Sequence, residues 1–74
     1  MSFTLDQLHK GEEATIDFIN DSEISLKLAE MGCFAGEKIT LEHIAPMGDP
    51  IAINVAGYII GIRKKEASFV FLSK

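Results

Sequence analysis

Few residues of this 74-residue sequence have the type and spacing that a chemical site requires. The best candidates for metal ligands are the single cysteine, Cys33, and the two histidines, His9 and His43. They are far apart, and none belongs to a ligand-spaced pair of the kind that zinc and iron sites use. A lone cysteine flanked by Gly32 and Phe34 is more often packed as a small hydrophobe. We therefore predict no metal site and no bound cofactor, and we expect Cys33 to lie in the core.

Catalytic signatures are equally sparse. No nucleophile–base pair is apparent, and Gly57 and Gly61 lack the following helix that a phosphate-binding glycine motif needs. The neighbouring acids Glu12 and Glu13 stand at the start of a predicted strand, where we expect them to be solvated. The sequence thus favours a protein that is not an enzyme.

The charge distribution disfavours two classes of partner. The net charge is −4, and the only basic cluster is residues 63–65, which Glu66 follows at once. Phosphate-backbone binding requires many cations, so we predict no nucleic-acid binding. No apolar run approaches the roughly 20 residues that span a bilayer, and neither a secretory signal nor a basic amphipathic helix is evident. We expect a cytoplasmic protein that does not insert into a membrane.

The segment around which the chain is organised is the loop of residues 45–50. Pro46, Gly48 and Pro50 cannot lie in a central strand, because proline fixes φ and lacks the ladder donor. They predict a turn between strands at residues 39–42 and 51–55, with Gly48 supplying any positive φ.

The remaining elements follow from changes in hydrophobic period. Residues 14–18 alternate as a half-buried strand does, with Phe18 on the apolar parity, and Ile19 indicates a bulge or a strand end. A helix is predicted over residues 22–31, with an apolar stripe of Ile24, Leu28 and Met31. Before the first strand, a capping box at residues 4–7 predicts a short helical turn over residues 5–10.

The carboxyl-terminal half predicts three more strand features. His43 falls on the apolar parity and the next residue off it, which indicates a bulge near His43. Residues 58–62 are nearly all apolar, so we expect a strand buried on both faces, then a charged turn at 64–67 and a closing strand at 69–72. The prediction is one domain over residues 1–74, mainly β: a small closed barrel of about five strands, one helix inserted after the first strand, and an N-terminal helical turn.

The order of these residues resembles the FeoA family, small cytoplasmic proteins of bacterial ferrous iron uptake with an SH3-like barrel. The resemblance extends over nearly the whole chain, with the loop 45–50 at its centre. Residues that depart from the family pattern are Lys27, in place of arginine, Ala35, in place of proline, and Met47 and Ile62, in place of leucine. The residues that share the pattern are Leu5, Leu8, Gly11, Leu28, Met31, Gly32, Cys33, Gly36, residues 45–51 apart from Met47, Val55, Gly57, Arg63, Glu66 and Ala67.

The resemblance implies a non-enzymatic accessory protein that binds or modulates FeoB, the membrane permease of the same system, which has a cytosolic GTPase domain. Candidate contact residues are Pro46, Met47, Gly48, Arg63 and Lys64. An exposed Met47 would offer an adaptable apolar contact, and the cations would orient an acidic partner. For both groups of residues a second interpretation stays open. The prolines would shape the turn without contacting a partner, and a basic turn such as residues 63–66 is often merely solvated. The sequence does not predict an oligomeric state.

Two alternatives remain. One is an SH3-like peptide- or protein-interaction module with an unrelated partner, which normally needs an aromatic groove for proline-rich segments. Tyr58 is the only tyrosine, and tryptophan is absent. The other is a metal chaperone, which would need Fe²⁺ binding that depends on Cys33 or His43.

Overall fold

One antiparallel sheet of six strands forms most of the chain in this computed structural model, which describes residues 3–74. The strands are β1 (Phe3–Thr4), β2 (Glu13–Ile19), β3 (Lys38–Ile44), β4 (Ile51–Val55), β5 (Tyr58–Ile62) and β6 (Val70–Ser73). The helices are a 3₁₀ helix at Leu5–Gln7, α1 at Ser22–Glu30 and α2 at Lys64–Ala67. The strand order across the sheet is β1-β6-β2-β3-β4-β5.

This architecture confirms the predicted fold class, mainly β with one helix inserted into a small barrel-like sheet. Three details differ. Phe3–Thr4 forms an additional short strand, so that α1 follows the second strand and not the first. The predicted turn at 64–67 is the single-turn helix α2. Within residues 3–74 the ladder leaves β1 and β5 as its two edges, so it does not close.

The core is built from the inward faces of the strands and one side of α1. In β4, Ile51, Ile53 and Val55 are buried, and the intervening residues are partly exposed, as alternation requires. Full burial of one such aliphatic side chain stabilises the fold by about 1.5–3 kcal/mol. The other buried hydrophobic residues are Leu5, Leu8, Ala14, Ile16, Leu28, Cys33, Ile39, Leu41, Ile62, Ala67, Val70 and Leu72.

The predicted bulge near His43 is present, and β2 ends at Ile19, which is one of the two interpretations of that residue, but a second bulge lies earlier in β2. One register shift lies between Leu41 and His43, where β3 pairs with β4. The other lies between Ile16 and Phe18, where β2 pairs with β6. The second bulge corrects the predicted orientation of Phe18, because the extra residue turns that ring outward, where it is 49% exposed and stacks on Phe71 with centroids 4.6 Å apart.

Helix α1 begins and ends at residues that satisfy its free backbone groups. The Asp21 carboxylate accepts a hydrogen bond from the Ile24 N–H at 2.9 Å. At the other end Gly32 has φ +83°, and the next N–H, of Cys33, donates to the Leu28 carbonyl at 2.8 Å. Leu28 is fully buried, whereas Met31 lies just beyond the helix and is partly exposed.

The expectation that β5 is buried on both faces is wrong. Ala56 and Gly57 both have positive φ, 52° and 90°, as a two-residue hairpin turn of the primed type requires. This turn folds β5 back on β4, but no strand within residues 3–74 pairs with its other side, because the chain enters α2. Tyr58 and Ile59 are therefore 71% and 58% exposed.

Candidate functional site

The loop of residues 45–50 forms a tight turn that projects one side chain. The Gly48 N–H donates to the Ala45 carbonyl at 2.7 Å, and the Ala45 N–H donates to the Pro50 carbonyl at 3.1 Å. Gly48 has φ +88°, which confirms the expected need for glycine there. Pro46 has the fixed φ that suits its position in this turn. Met47, at the tip, is 92% exposed.

Asp49 connects this loop to the start of α2. One oxygen of its carboxylate accepts a hydrogen bond from the Lys64 N–H at 2.9 Å. The other oxygen lies 4.0 Å from the guanidinium of Arg63. The two groups of predicted contact residues, which are far apart in the sequence, therefore lie side by side in the fold.

A second carboxylate fixes the first turn of α2. Glu66 accepts a hydrogen bond from the Arg63 N–H at 3.0 Å through one oxygen. Its other oxygen lies 2.5 Å from the Lys27 ammonium on α1. The Lys27 bond, followed by the backbone bond from Arg63, holds the pKa of Glu66 below its ordinary value of 4.5. Lys27, where the family pattern has arginine, thus anchors α2 to α1 with a single ammonium contact.

We define the contact surface as the five predicted residues, Pro46, Met47, Gly48, Arg63 and Lys64. Four of them are exposed, and Gly48 is partly exposed. The arrangement places one unbranched apolar side chain beside two cations on a short, braced helix start. Such a surface suits contact with a protein that presents an apolar residue flanked by acids.

The potential metal ligands do not converge. Cys33 is buried in the core, as predicted, and burial raises the pKa of its thiol to about 11. His43 is exposed on β3. His9 lies with Nδ1 3.0 Å from Glu12 Oε1. Within residues 3–74 no group of three or more His, Cys, Asp or Glu side chains could hold a metal ion.

An open groove of about 310 Å³ lies near the chain ends and is lined by Phe3, Gln7, His9, Glu12 and Lys74. Glu12 forms an ion pair with Lys74 and a hydrogen bond with the His9 ring in this groove. The Lys74 hydrogen bond, followed by the bond from the His9 N–H, lowers the pKa of Glu12 to about 2. The sequence predicted a solvated Glu12. In the structure its carboxylate is instead ion-paired with Lys74 at the edge of this groove.

Two residues that adjoin the contact surface were not among the predicted ones. Asp49 braces it, and Lys65, exposed on α2, extends its positive charge. Asp49 could have been found, because it belongs to the loop 45–50 on which the family resemblance rests. Its partner Lys64 could not, because the two are 15 residues apart.

The aromatic residues that the peptide-module alternative would use lie on different strands. Tyr58 is on β5 next to the hairpin turn, whereas Phe18 and Phe71 are on β2 and β6 and stack on each other. That alternative stays a prediction. In the part of the chain that the structure describes, no helix is long and apolar enough to cross a membrane.

Comparison with known proteins places these features in a family. A model of the FeoA domain matches residues 3–74. The chain is 31% identical over 65 residues to a Porphyromonas gingivalis Fe(2+) transport protein A/Fe(2+) transporter FeoB fusion protein, a match covering 86% of this chain but only 8% of that protein.

Two solved structures are similar over nearly the whole chain. The FeoA-like protein from Clostridium acetobutylicum is 32% identical, with a TM-score of 0.89, covering 97% of this chain and 85% of that one. Zinc-complexed Stenotrophomonas maltophilia FeoA is 25% identical, with a TM-score of 0.83, covering 96% of this chain and 89% of that one. It is described as a prokaryotic SH3 domain protein possibly acting as a ferrous iron transport activating factor, which agrees with the SH3-like fold predicted here. This chain belongs to the FeoA domain family.

Proposed function

We propose that this chain is a cytoplasmic, non-enzymatic accessory protein of ferrous iron uptake, which binds or modulates a FeoB-type permease through the contact surface. The observation that supports this most strongly is the Porphyromonas gingivalis relative, in which an Fe(2+) transport protein A part and FeoB belong to one polypeptide. When two parts belong to one polypeptide, each is present at a high effective concentration near the other. Such a fusion is an advantage where the separate parts bind each other.

The geometry of the contact surface supports the same proposal. Met47 is the most exposed of the large hydrophobic residues in the described chain, and a fully solvated apolar side chain on a braced turn suits binding better than packing. Asp49 holds the Lys64 end of α2 against this turn. The apolar side chain of Met47 and the cation of Lys64 would therefore contact the same partner at the same time. Rigid placement reduces the entropy lost on binding.

The role in iron uptake is tested by deleting the gene in its bacterial host. We expect slower uptake of radioactive Fe²⁺ under reducing conditions, and restoration by the wild-type gene. A Met47→Asp, Lys64→Glu double variant should restore uptake poorly although the protein accumulates normally on an immunoblot.

The matched control is Leu26→Asp, which places the same charge on an exposed apolar position of α1. We expect this control to restore uptake as the wild type does. Unchanged uptake in the deletion strain would refute the transport role. Full restoration by the double variant would refute the contact surface and leave the transport role standing.

A further inference from the structure

Strand β5 has a free edge that is unusually open to pairing. In a two-residue hairpin, every second residue of β5 directs its N–H and C=O groups to β4, and these residues are Tyr58, Ile60 and Ile62. The N–H and C=O groups of Ile59 and Gly61 therefore point away from β4. No turn or loop hydrogen bond within residues 3–74 reaches Ile59 or Gly61. The edge therefore presents two donors and two acceptors to another strand.

This edge also lacks the features that normally prevent pairing. Natural edge strands are protected by charged residues, proline, bulges or short length. From Ile51 to Ile62 the hairpin contains no charged residue and no proline, and the β4–β5 register has no shift. β5 is five residues long, and the outward face beside the edge holds Ile59 and Gly61 with their β4 partners Asn54 and Ala52, none of which is charged. An added strand therefore meets no charged side chain of the hairpin on this face.

The charge around this edge is asymmetric. Next to Ile62 the chain continues into Arg63, Lys64 and Lys65, all exposed. Among the described residues neither Lys64 nor Lys65 belongs to an ion pair. The hairpin tip, at Ala56 and Gly57, has no charge. Asp49 pairs with Arg63 at this end, so the unpaired positive charge there is that of Lys64 and Lys65. A strand laid along β5 thus has two unpaired cations near one end only.

We propose that the β5 edge binds an extended peptide segment of a partner protein, antiparallel to β5, with alternating apolar residues preceded by acidic ones. The antiparallel orientation extends the pattern of the whole sheet and puts the amino-terminal end of the segment beside Lys64 and Lys65. The backbone bonds to Ile59 and Gly61 supply affinity, and the carboxylates set the direction and the choice of segment. A second copy of this chain fits less well, because an antiparallel β5 pair would place the cations opposite the uncharged hairpin tip.

The probe is the synthetic peptide Ac-DEDTVTVT-NH2, added to the full-length ¹⁵N-labelled chain. We expect saturable shifts of the amide resonances of Ile59 and Gly61, and slower hydrogen exchange at both. A matched peptide, Ac-KKKTVTVT-NH2, should bind about tenfold more weakly, because it replaces up to two exposed ion pairs, with Lys64 and Lys65, by repulsion. The Lys64→Glu, Lys65→Glu double variant should reverse this preference.

Ile59→Lys places a charge on the edge and should abolish binding, whereas Leu26→Lys, an exposed apolar position on α1, should leave it intact. The proposal is overturned if the two peptides bind equally or not at all, or if the shifts lie away from β5. It is also overturned if the Ile59 and Gly61 resonances shift with protein concentration alone, because the edge would then pair with a second copy. None of these outcomes depends on the permease, so the proposed function is tested separately.

Discussion

Asp49 and Lys64 are joined by a 2.9 Å hydrogen bond from the Lys64 N–H to the Asp49 carboxylate, which fastens the central loop to the start of α2. The loop alone is a short turn stabilised by its own backbone. The bond makes it part of one rigid surface with the basic residues of α2. This arrangement gives the contact surface its shape.

Replacing Asp49 should separate the loop from α2. Asp49→Ala removes an acceptor and a nearby charge, and we expect a loss of about 0.5–1.5 kcal/mol in the free energy of unfolding. Asp49→Asn keeps an acceptor for the Lys64 N–H and should cost less than half as much. Urea unfolding followed by circular dichroism measures both. Equal losses in the two variants would show that the bond contributes nothing.

Leu28 and Leu26 lie on the same helix in opposite environments, 0% and 64% exposed. Leu28→Ala leaves a cavity between α1 and the sheet and should destabilise the fold by about 2–5 kcal/mol. This is a large part of the roughly 4–11 kcal/mol expected for a domain of this size. Leu26→Ala should change stability by less than about 0.5 kcal/mol. Similar losses for both variants would contradict the packing of α1.

The Lys27–Glu66 ion pair should make stability depend on pH in one direction. The pKa of Glu66 is lower in the folded chain than its ordinary value of 4.5, so the unfolded chain binds the proton more tightly. The contribution is present above about pH 4.5 and is lost as the pH falls through the folded pKa. Because Lys27 is 59% exposed, solvent screening limits it to about 0.2–1 kcal/mol.

Glu66→Gln should reduce this acid-sensitive part of stability, measured by urea unfolding between about pH 3 and pH 7. The Gln side chain still has an acceptor for the Arg63 N–H, so α2 should persist. A double-mutant cycle with Lys27→Met isolates the pair. A coupling energy of zero would mean that the anchor is not energetically significant.

Cys33 should react slowly in the folded chain. It is completely buried, and a pKa of about 11 in place of 9.0 lowers the thiolate fraction near pH 8 about a hundredfold. Ellman's reagent should therefore label native protein at least about 100 times more slowly than urea-unfolded protein. A cysteine at the exposed position 47, in a Cys33→Ala background, is the control that should react at once. Rapid labelling of native Cys33 would contradict its place in the core.

The sequence predicted best where local rules agree with the tertiary contacts. The strand at residues 51–55 follows from its apolar pattern and the turn glycine Gly48 from the backbone geometry of a tight turn, and the structure has both. The bulge near His43 was also visible, because one extra residue in a strand reverses the parity of every residue after it. In these places the residue type determines the local conformation.

Prediction failed where the outcome depends on what lies beside an element. The nearly all-apolar sequence of β5 suggested a covered strand, but its exposure follows from its position at the edge of the sheet. The direction of Phe18 depends on a bulge whose position only the pairing with β6 fixes. The brace from Asp49 to Lys64 likewise depends on three-dimensional placement. The contact surface was therefore predicted as two separate groups of residues.

The most direct test of the central claim is a titration of the full-length ¹⁵N-labelled chain with the soluble cytosolic portion of the FeoB-type permease from the same organism. We expect saturable resonance shifts concentrated at Met47, Gly48 and Lys64. Binding should be weakened in the Met47→Asp, Lys64→Glu double variant and preserved in Leu26→Asp. No shifts up to about 1 mM, or saturable shifts confined to the groove lined by His9 and Glu12, would contradict it.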